Sequence, residues 1–289
     1  MKFRLVSCFL IGMAGLAANA SASLLEKPGL VTTEWLAEHA DHPDLRVIDA
    51  RSGLSAYMRG HVPGAVYLNT ESVRISAGGI PASLLPTGQI ASIFQRLGIG
   101  ADHAVVIYSS GEEAFSHATY VAFLLEWLGH RSIGVLDGGF EKWSAEDRPV
   151  TTEFPRHSPV VSATGARLQP EVMTEAPALR EMLRDEAVVL LDARGEAAFE
   201  AGHLPGAERF FLRNTLAGEE VLTWKSPEAI RELAAKAGVD GRKPVVTYCT
   251  SGRESSQIWF TLRHVAGFEN VSSYHGSWID WTARGWHRK

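Results

Sequence analysis

The two halves of the chain carry the same residue blocks in the same order, and this repeat limits the possible fold more than any other feature. Each block of the first half recurs about 140 residues later. The matched pairs are 47–51 (VIDAR) with 190–194 (LLDAR), 60–65 (GHVPGA) with 202–207 (GHLPGA), 105–109 (VVIYS) with 245–249 (VVTYC), and 137–143 (DGGFEKW) with 275–281 (HGSWIDW). A period this long in only two copies excludes a solenoid and predicts two duplicated domains.

The same succession of strands and helices is predicted in each copy. Short apolar strands alternate with helical patterns, which is typical of βαβ units in a mainly parallel sheet. In the second copy, Ser226 and Pro227 predict the start of a helix that ends near Ala237. Apolar residues over 258–266 then recur at helical spacing before Gly267, which predicts a second helix with a glycine cap. We therefore predict an α/β fold.

The first residues differ in composition from the rest of the chain. Lys2 and Arg4 precede an apolar run over 5–18 that small residues follow, which is the pattern of a secretory signal peptide. The run is shorter than the roughly 20 apolar residues that span a bilayer, so removal is favoured over a membrane anchor. In a Gram-negative bacterium the exported protein would be periplasmic. The predicted division is a signal peptide at 1–22, a first domain at 24–150, a linker at 151–166 and a second domain at 167–289.

Composition and charge exclude several classes of protein. Apolar residues make up 45% and charged residues 21% of the chain, which is typical of a globular protein and not of a disordered one. The net charge is −5, and no basic block or interleaved aromatic pattern suggests nucleic acid binding. No residues have metal-ligand spacing, so we expect no metal and no other cofactor. His61 and His203 recur in equivalent turns, which favours a structural role for both. We expect a monomer.

Cys249 stands between a β-branched strand and a predicted helix. The other cysteine, Cys8, falls in the predicted signal peptide, so the mature chain would carry one thiol. Before a helix N-terminus, unpaired backbone N–H groups and the positive end of the helix dipole favour a thiolate. Gly252 permits the backbone angles that bring successive amides together, and Arg253 adds a cation. The alternative is a buried cysteine that acts as a small hydrophobe, which would not need the polar residues that follow.

Two families place a nucleophilic cysteine in such a turn. Protein tyrosine and dual-specificity phosphatases have a longer loop before their arginine, whereas Arg253 follows Cys249 after three residues. The second family is the rhodaneses, and the whole chain after the predicted signal peptide resembles their tandem-domain members. The resemblance is carried by Asp-x-Arg, by Gly-His-x-Pro-Gly-Ala, by the strand that leads to the cysteine, and by the late glycine turn before tryptophan, each present twice.

This resemblance implies two tandem rhodanese-like domains, each a mainly parallel sheet flanked by helices, with an inactive first copy and a catalytic Cys249 in the second. Ser109 stands at the cysteine position of the first copy and precedes an acidic turn without arginine, which agrees with that asymmetry. The implied activity is sulfur transfer. The Cys249 thiolate would take a sulfane sulfur from a donor such as thiosulfate and expel sulfite. It would then pass the sulfur from a persulfide to cyanide or a thiol.

Residues of the turn and of one strand end are candidates for binding the donor. The turn amides would hold negative charge on the sulfur, and Arg253 would attract an anion. Arg194 is a second candidate cation, although it could instead pair with Asp192 and shape its loop. Arg253 could likewise be a solvated residue at a helix start. The candidate donor-binding residues are Arg194, Arg253, Thr250, Ser251 and Gly252.

The charge of the turn bears on the choice of donor. Among the proteins that this chain resembles, thiosulfate-type members tend to carry cations in this loop, whereas mercaptopyruvate-type loops are nearly neutral. Arg253 fits the first type, Thr250 and Ser251 fit the second, and Glu254 fits neither. We predict thiosulfate as the donor, with 3-mercaptopyruvate as the alternative. A hypothesis of another class is a non-catalytic sulfur carrier or redox-sensing partner, in which the thiol accepts a sulfur or an oxidant without turnover.

Overall fold

The computed structural model describes residues 24–161 and 168–288. The predicted signal peptide and part of the predicted linker lie outside these ranges, so export and the full linker stay predictions. None of the helices within these ranges combines the length and the hydrophobicity that a transmembrane span requires. Residues just after the first domain run back along it, where His61 N donates to Thr151 O at 2.9 Å and Val160 N to Gln95 O at 3.1 Å.

The first domain is built on a parallel sheet. Its strands are β1 (Gly29–Val31), β2 (Leu45–Asp49), β3 (Ala65–Tyr67), the hairpin strands β4 (Arg74–Ala77) and β5 (Ile80–Leu84), β6 (Ala104–Tyr108) and β7 (Ile133–Leu136). Its helices are α1 (Thr33–His39), α2 (Leu54–Arg59), α3 (Thr87–Arg96), α4 (Ser116–Trp127) and α5 (Gly139–Ala145). The sheet order is β1-β7-β6-β2-β3, and the hairpin β4–β5 stands apart from it.

The second domain repeats this plan with a smaller sheet. Its strands are β8 (Val189–Asp192), β9 (Ala207–Arg209), β10 (Leu216–Ala217), β11 (Thr223–Trp224), β12 (Val245–Tyr248) and β13 (Val271–Ser273). Its helices are α6 (Ala176–Arg184), α7 (Glu196–Glu200), α8 (Pro227–Lys236), α9 (Arg253–Phe260) and α10 (Ser277–Ala283). The parallel order β13-β12-β8-β9 matches β7-β6-β2-β3, and a single bridge from Met173 to Ser273 stands in the place of β1. The α/β prediction is therefore confirmed.

In both domains the Asp-x-Arg motif is hydrogen-bonded to the Gly-His-x-Pro-Gly turn. In the second domain the Arg194 guanidinium binds both carboxylate oxygens of Asp192, at 2.6 to 3.0 Å, and also donates to Gly202 O at 2.8 Å. In the first domain Arg51 makes the same contacts to Asp49 and Gly60 O. Each buried ion pair thus fixes the glycine of its Gly-His-x-Pro-Gly turn to the end of a central strand.

The histidines of these turns also have structural contacts. His61 and His203 place Nδ1 at 2.9 Å from the backbone oxygens of Tyr57 and Phe199, and each ring stacks on the aromatic ring of that same residue. The two turns are alike although only one domain has the cysteine. These contacts agree with the structural role predicted for both histidines.

The domains pack together through α4 and α9, the helices that follow the turns after β6 and β12. Phe123 meets the buried ring of Trp259 edge-on, with ring centroids 5.1 Å apart. Thr119 Oγ1 lies 3.2 Å from Ser256 Oγ at the N-terminal end of the pair. One hydrophobic cluster continues through both domains. Every residue of α4 from Ser116 to Glu126 is buried, because the sheet covers one side of this helix and α9 covers the other.

Both helices predicted in the second domain are present, but the helix after the cysteine turn ends differently from the prediction. Ser226 Oγ caps α8 by accepting from Ala229 N at 3.3 Å, as the Ser-Pro pair predicted. The helix after the cysteine turn is α-helical only as far as Phe260. It continues as a π-helical turn over Thr261–Val265, in which Ala266 N donates to Thr261 O, and Gly267 follows with φ of +82°.

Removing the carboxylate from either buried pair should destabilise its domain. Asp192→Ala and Asp49→Ala each leave a buried guanidinium without its counter-ion, which costs about 3–5 kcal/mol. Asp240→Ala is the control, because Asp240 pairs with Arg242 on the surface and its loss should change stability far less than either buried-pair variant. Urea-induced unfolding measures all three variants. A loss below about 1 kcal/mol in both buried-pair variants would contradict this role.

Candidate active site

Cys249 lies at the carboxyl edge of the second sheet. It follows β12 directly, and α9 begins at Arg253, which gives the strand–turn–helix setting expected from the sequence. The start of α10 closes the other side, because Trp278 N donates to Cys249 O at 3.0 Å and Ile279 N to Thr250 O at 3.1 Å. The cysteine side chain is part of the buried core and only 1% exposed. Any group that reacts with Sγ must therefore enter the turn to reach it.

A backbone amide of the turn points at the sulfur. Gly252 N lies 3.1 Å from Cys249 Sγ and donates to it. Gly252 has φ of +91°, so the conformational freedom predicted for this glycine is used. A hydrogen bond from a backbone N–H stabilises negative charge on its acceptor, and the helix that begins at the next residue adds its positive dipole end. The turn can thus hold charge on a thiolate and on a persulfide.

Ser277 is a site residue that the sequence did not single out. Its hydroxyl oxygen accepts from Cys249 N at 3.1 Å, lies 4.0 Å from Cys249 Sγ and donates to Tyr274 O at 2.9 Å. Ser277 is fully buried and has φ of +55°, a conformation that costs a serine about 1–2 kcal/mol. The equivalent residue in the first domain is Gly139. The sequence signal that could have identified Ser277 is that a serine replaces the glycine of the equivalent position in the first domain.

Buried hydroxyl groups support the turn from behind. Ser255 Oγ donates to Gly252 O at 3.1 Å and lies 3.0 Å from Ser273 Oγ. Thr247 Oγ1 donates to Ser255 O at 3.0 Å. These bonds join the end of β12, the first turn of α9 and the end of β13. The Gly252 C=O thereby has a hydroxyl partner in α9, while the Gly252 N–H donates to the sulfur.

Arg194, a predicted donor-binding residue, is tied to Asp192 as described above. Its guanidinium also lies over the ring of Trp278, 4.8 Å from the centroid. The first domain has the same pair without a cysteine, so these contacts do not depend on the chemistry. The alternative that Arg194 pairs with Asp192 and shapes the loop fits the structure better than a donor-binding role, because a buried guanidinium with this partner is not free to turn toward an anion.

Arg253, the other predicted cation, reaches across the domain boundary. Its Nη1 donates to Glu71 Oε1 of the first domain at 2.8 Å. Its side chain keeps 31% of its surface exposed, and its Nε is buried with no hydrogen-bond partner among the described residues. Glu71 was not predictable as a neighbour of Arg253, because the two residues are far apart in the sequence. Arg253 is therefore present at the turn, with part of its charge offset by a carboxylate.

Two further residues of the turn differ in exposure. The side chain of Thr250 is exposed, and Ser251 is half-buried against the first domain, where Arg74 Nη2 donates to Ser251 O at 3.1 Å.

Burial raises the pKa of Glu254 above its usual range; the Arg253 charge opposes this shift and Asp192 adds to it. Glu254 is thus less acidic than a surface carboxyl, which weakens its effect on an incoming anion at mildly acidic pH.

The equivalent turn of the first domain is already occupied by a carboxylate of its own domain. Glu141 accepts from Ser110 Oγ at 2.7 Å and from Gly111 N at 3.1 Å. Ser109 stands where the cysteine would be, and its hydroxyl accepts from Ala118 N at 3.2 Å. The turn is also longer, because α4 begins at Ser116. A carboxylate of the first domain therefore occupies this turn, and no cysteine is present, which agrees with the inactive first copy that the sequence predicted.

The chain is similar to known proteins over most of its length. The family model for the Rhodanese-like domain matches residues 32–146 and 175–284. The chain is 30% identical to thiosulfate sulfurtransferase of Bos taurus, over 88% of this chain and 92% of that protein. It is 29% identical to the sulfur carrier protein TtuD of Thermus thermophilus, over 87% of this chain and 93% of that protein.

A solved structure has the same fold over nearly the same length. SseA of Escherichia coli, described as a 3-mercaptopyruvate sulfotransferase, superposes with a TM-score of 0.78 at 25% identity. The match covers 87% of this chain and 99% of that one. The two-domain architecture is therefore shared over almost the whole described chain.

Gly252→Ala should impair the cysteine. A Cβ at this position would meet the backbone oxygen of His275 and lie 2.7 Å from its ring Cδ2, so the turn must shift. Loss of a hydrogen bond to a charged group costs about 1.5–3 kcal/mol, and we expect alkylation of Cys249 by iodoacetamide to slow by roughly 10- to 150-fold.

Gly238→Ala is the matched control for this variant. Gly238 has a similar φ of +81°, but no atom lies within 4 Å of an added Cβ. It should carry the same backbone strain without slowing alkylation. Equal alkylation rates in the two variants would contradict the role of the Gly252 amide.

Proposed function

The chain belongs to the rhodanese-like family and is related to sulfurtransferases, and on that premise we propose that it moves a sulfane sulfur from thiosulfate to cyanide or a thiol through a persulfide on Cys249. The observation that carries the proposal is the Gly252 N–H that donates to Cys249 Sγ at 3.1 Å. A thiol that serves only as a small hydrophobe would have no use for such a donor at a helix N-terminus.

In the first half-reaction the Cys249 thiolate attacks the outer sulfur of thiosulfate. A bond forms between Sγ and that sulfur, and the bond between the two thiosulfate sulfurs breaks with its electron pair leaving on sulfite. The three negative charges of the reactants are conserved, since a persulfide anion and a sulfite dianion are formed. No proton moves, so no general base is needed beside the cysteine. Gly252 N–H stabilises the charge throughout.

In the second half-reaction an acceptor removes the outer sulfur of the persulfide. Cyanide forms a bond to that sulfur, the persulfide bond breaks, and its electron pair returns to Sγ as the thiolate. A thiolate acceptor reacts in the same way and leaves as a persulfide. The enzyme is thereby restored for another cycle, and each cycle consumes one donor and one acceptor.

Charge near the turn supports thiosulfate as the donor. Arg253 presents a cation whose side chain is 31% exposed, which suits a dianion. Glu71 offsets part of this charge, and for that reason 3-mercaptopyruvate, a monoanion, is the second candidate. Likeness to SseA also favours that candidate. The relative named as a sulfur carrier favours a third possibility, in which Cys249 accepts one sulfur and a protein partner removes it.

Turnover with each donor distinguishes these candidates. With thiosulfate and cyanide, the wild-type protein should release many equivalents of sulfite per Cys249, and Cys249→Ser should release none, because serine forms no persulfide. Sulfite release and thiocyanate formation provide the measurement, with 3-mercaptopyruvate tested in parallel. A single equivalent of sulfite that then stops would favour a carrier, and activity retained in Cys249→Ser would contradict the mechanism.

The Glu71–Arg253 pair should control the KM for thiosulfate in opposite directions. Arg253→Ala removes a charged hydrogen-bond donor, worth about 1.5–3 kcal/mol, and should raise this KM at least tenfold while affecting mercaptopyruvate less. Glu71→Gln frees Arg253 and should lower the thiosulfate KM. Steady-state kinetics at low salt measures both, because screening weakens such effects.

Arg184→Ala and Glu181→Gln are the controls for these two variants. They break a pair of the same residue types on the surface of α6, 3.0 Å apart, and should leave both KM values unchanged. If Arg253→Ala raised the two donor KM values equally, Arg253 would have no particular role in binding the dianion.

A further inference from the structure

A first-domain arginine reaches the active-site turn of the second domain. Arg74 begins β4, and its side chain is only 7% exposed. Its Nη2 donates to Ser251 O at 3.1 Å, and its Nη1 lies 3.5 Å from Ser251 Oγ. Ser251 is two residues from Cys249. A residue of the inactive copy therefore contacts the turn that holds the nucleophile.

Several first-domain groups fix the Arg74 guanidinium in this position. It lies over the ring of Tyr120, 4.8 Å from the centroid, and its Nε donates to Tyr120 Oη at 3.3 Å. Glu71 Oε1 lies 3.7 Å from Nη1. Stacking on an aromatic ring and a carboxylate neighbour hold a buried guanidinium in one orientation. The hydrogen bond to Ser251 O is thus preorganised by the first domain.

Arg74 and the sulfur bind the two ends of one peptide group. The peptide that links Ser251 to Gly252 is trans, so its C=O and N–H point in opposite directions. Its C=O accepts from Arg74, and its N–H donates to Cys249 Sγ at 3.1 Å. A cation on the carbonyl oxygen fixes the plane of the peptide and polarises it, which strengthens the N–H as a donor.

Tyr120 supports the same turn by a second route. Its Oη is hydrogen-bonded to Nε2 of His275 at 2.9 Å, and the backbone oxygen of His275 packs against Gly252. Burial lowers the pKa of His275 to about 3, and Arg74 adds to the shift, so the ring is neutral at ordinary pH. The His275 imidazole therefore adds no positive charge beside the turn at ordinary pH, whereas Arg74 does.

We propose that Arg74 is a positioning residue for Cys249: it orients and polarises the Ser251–Gly252 peptide so that this peptide stabilises the thiolate and the persulfide. The inactive domain then contributes to the chemistry of the active one. This inference rests on the proposed function in taking Cys249 as the nucleophile. It adds a residue from the other domain to the active site, one that acts through the Ser251–Gly252 peptide.

The pH dependence of Cys249 alkylation tests this role without any sulfur donor. In Arg74→Gln the peptide loses its cationic partner, and the pH of half-maximal alkylation by iodoacetamide should rise by about one unit, a tenfold loss of thiolate at a given lower pH. Arg74→Lys keeps the charge but loses the planar fork, and should recover part of the shift. Arg263→Gln is the matched control, because Arg263 also joins the domains, through Glu126 at 3.1 Å, but at the other end of the helix pair.

The role of Arg74 can be tested even if one of the variants does not fold. If thermal unfolding shows that Arg74→Gln is not folded, Arg74→Lys and Tyr120→Phe provide the test instead. Each of these variants loosens the same guanidinium, so each should raise the pH of half-maximal alkylation. Profiles equal to that of Arg263→Gln in the folded Arg74 variants would overturn the proposal. That result would leave the proposed function intact. Conversely, a wild-type protein that releases no sulfite would contradict the proposed function, but it would not bear on the role of Arg74 in the alkylation profile.

Discussion

Contact between α4 and α9 determines where the first domain meets the active-site turn. The two helices are equivalent in the duplicated domains, and each begins just after the turn that its strand leads into. Packing of Phe123 on Trp259 sets the helices side by side, and the Thr119–Ser256 contact aligns their N-terminal ends. The turns of both domains are thereby brought to the same boundary. Arg74 and Glu71 reach the cysteine turn because of this arrangement, and not through any contact within the second domain.

The duplication separates structural residues from chemical ones within a single chain. Asp–Arg pairs and Gly-His-x-Pro-Gly turns have the same contacts in both domains, so they serve the fold whether or not a cysteine is present. The turns themselves differ. In the second domain a short turn aims an amide at Cys249 Sγ, whereas in the first domain a longer turn binds the Glu141 carboxylate. The equivalent turns thus donate to different acceptors, the Cys249 sulfur in the second copy and the Glu141 carboxylate in the first.

Local patterns allowed the sequence to predict the two domains, their parallel sheets, the Ser226 cap and the setting of Cys249. Each of these depends on residues close together in the chain or on the internal repeat. Contacts between the domains were not predictable in this way, since nothing near Glu71 or Arg74 in the sequence marks them as neighbours of residues 251–253. Arg194 was ambiguous for a related reason: a conspicuous cation near a strand end could bind a donor or pair with Asp192, and only its burial against that carboxylate distinguishes the two.

Mass spectrometry of the Cys249 peptide tests the sulfur-transfer chemistry most directly. The protein is treated with one equivalent of thiosulfate without an acceptor, digested under non-reducing conditions and compared with an untreated sample. We predict that the peptide containing Cys249 gains the mass of one sulfur atom, that one equivalent of sulfite appears, and that cyanide then removes the added mass. Sulfite release with an unmodified Cys249 peptide, or sulfur found on another residue, would contradict a persulfide on Cys249.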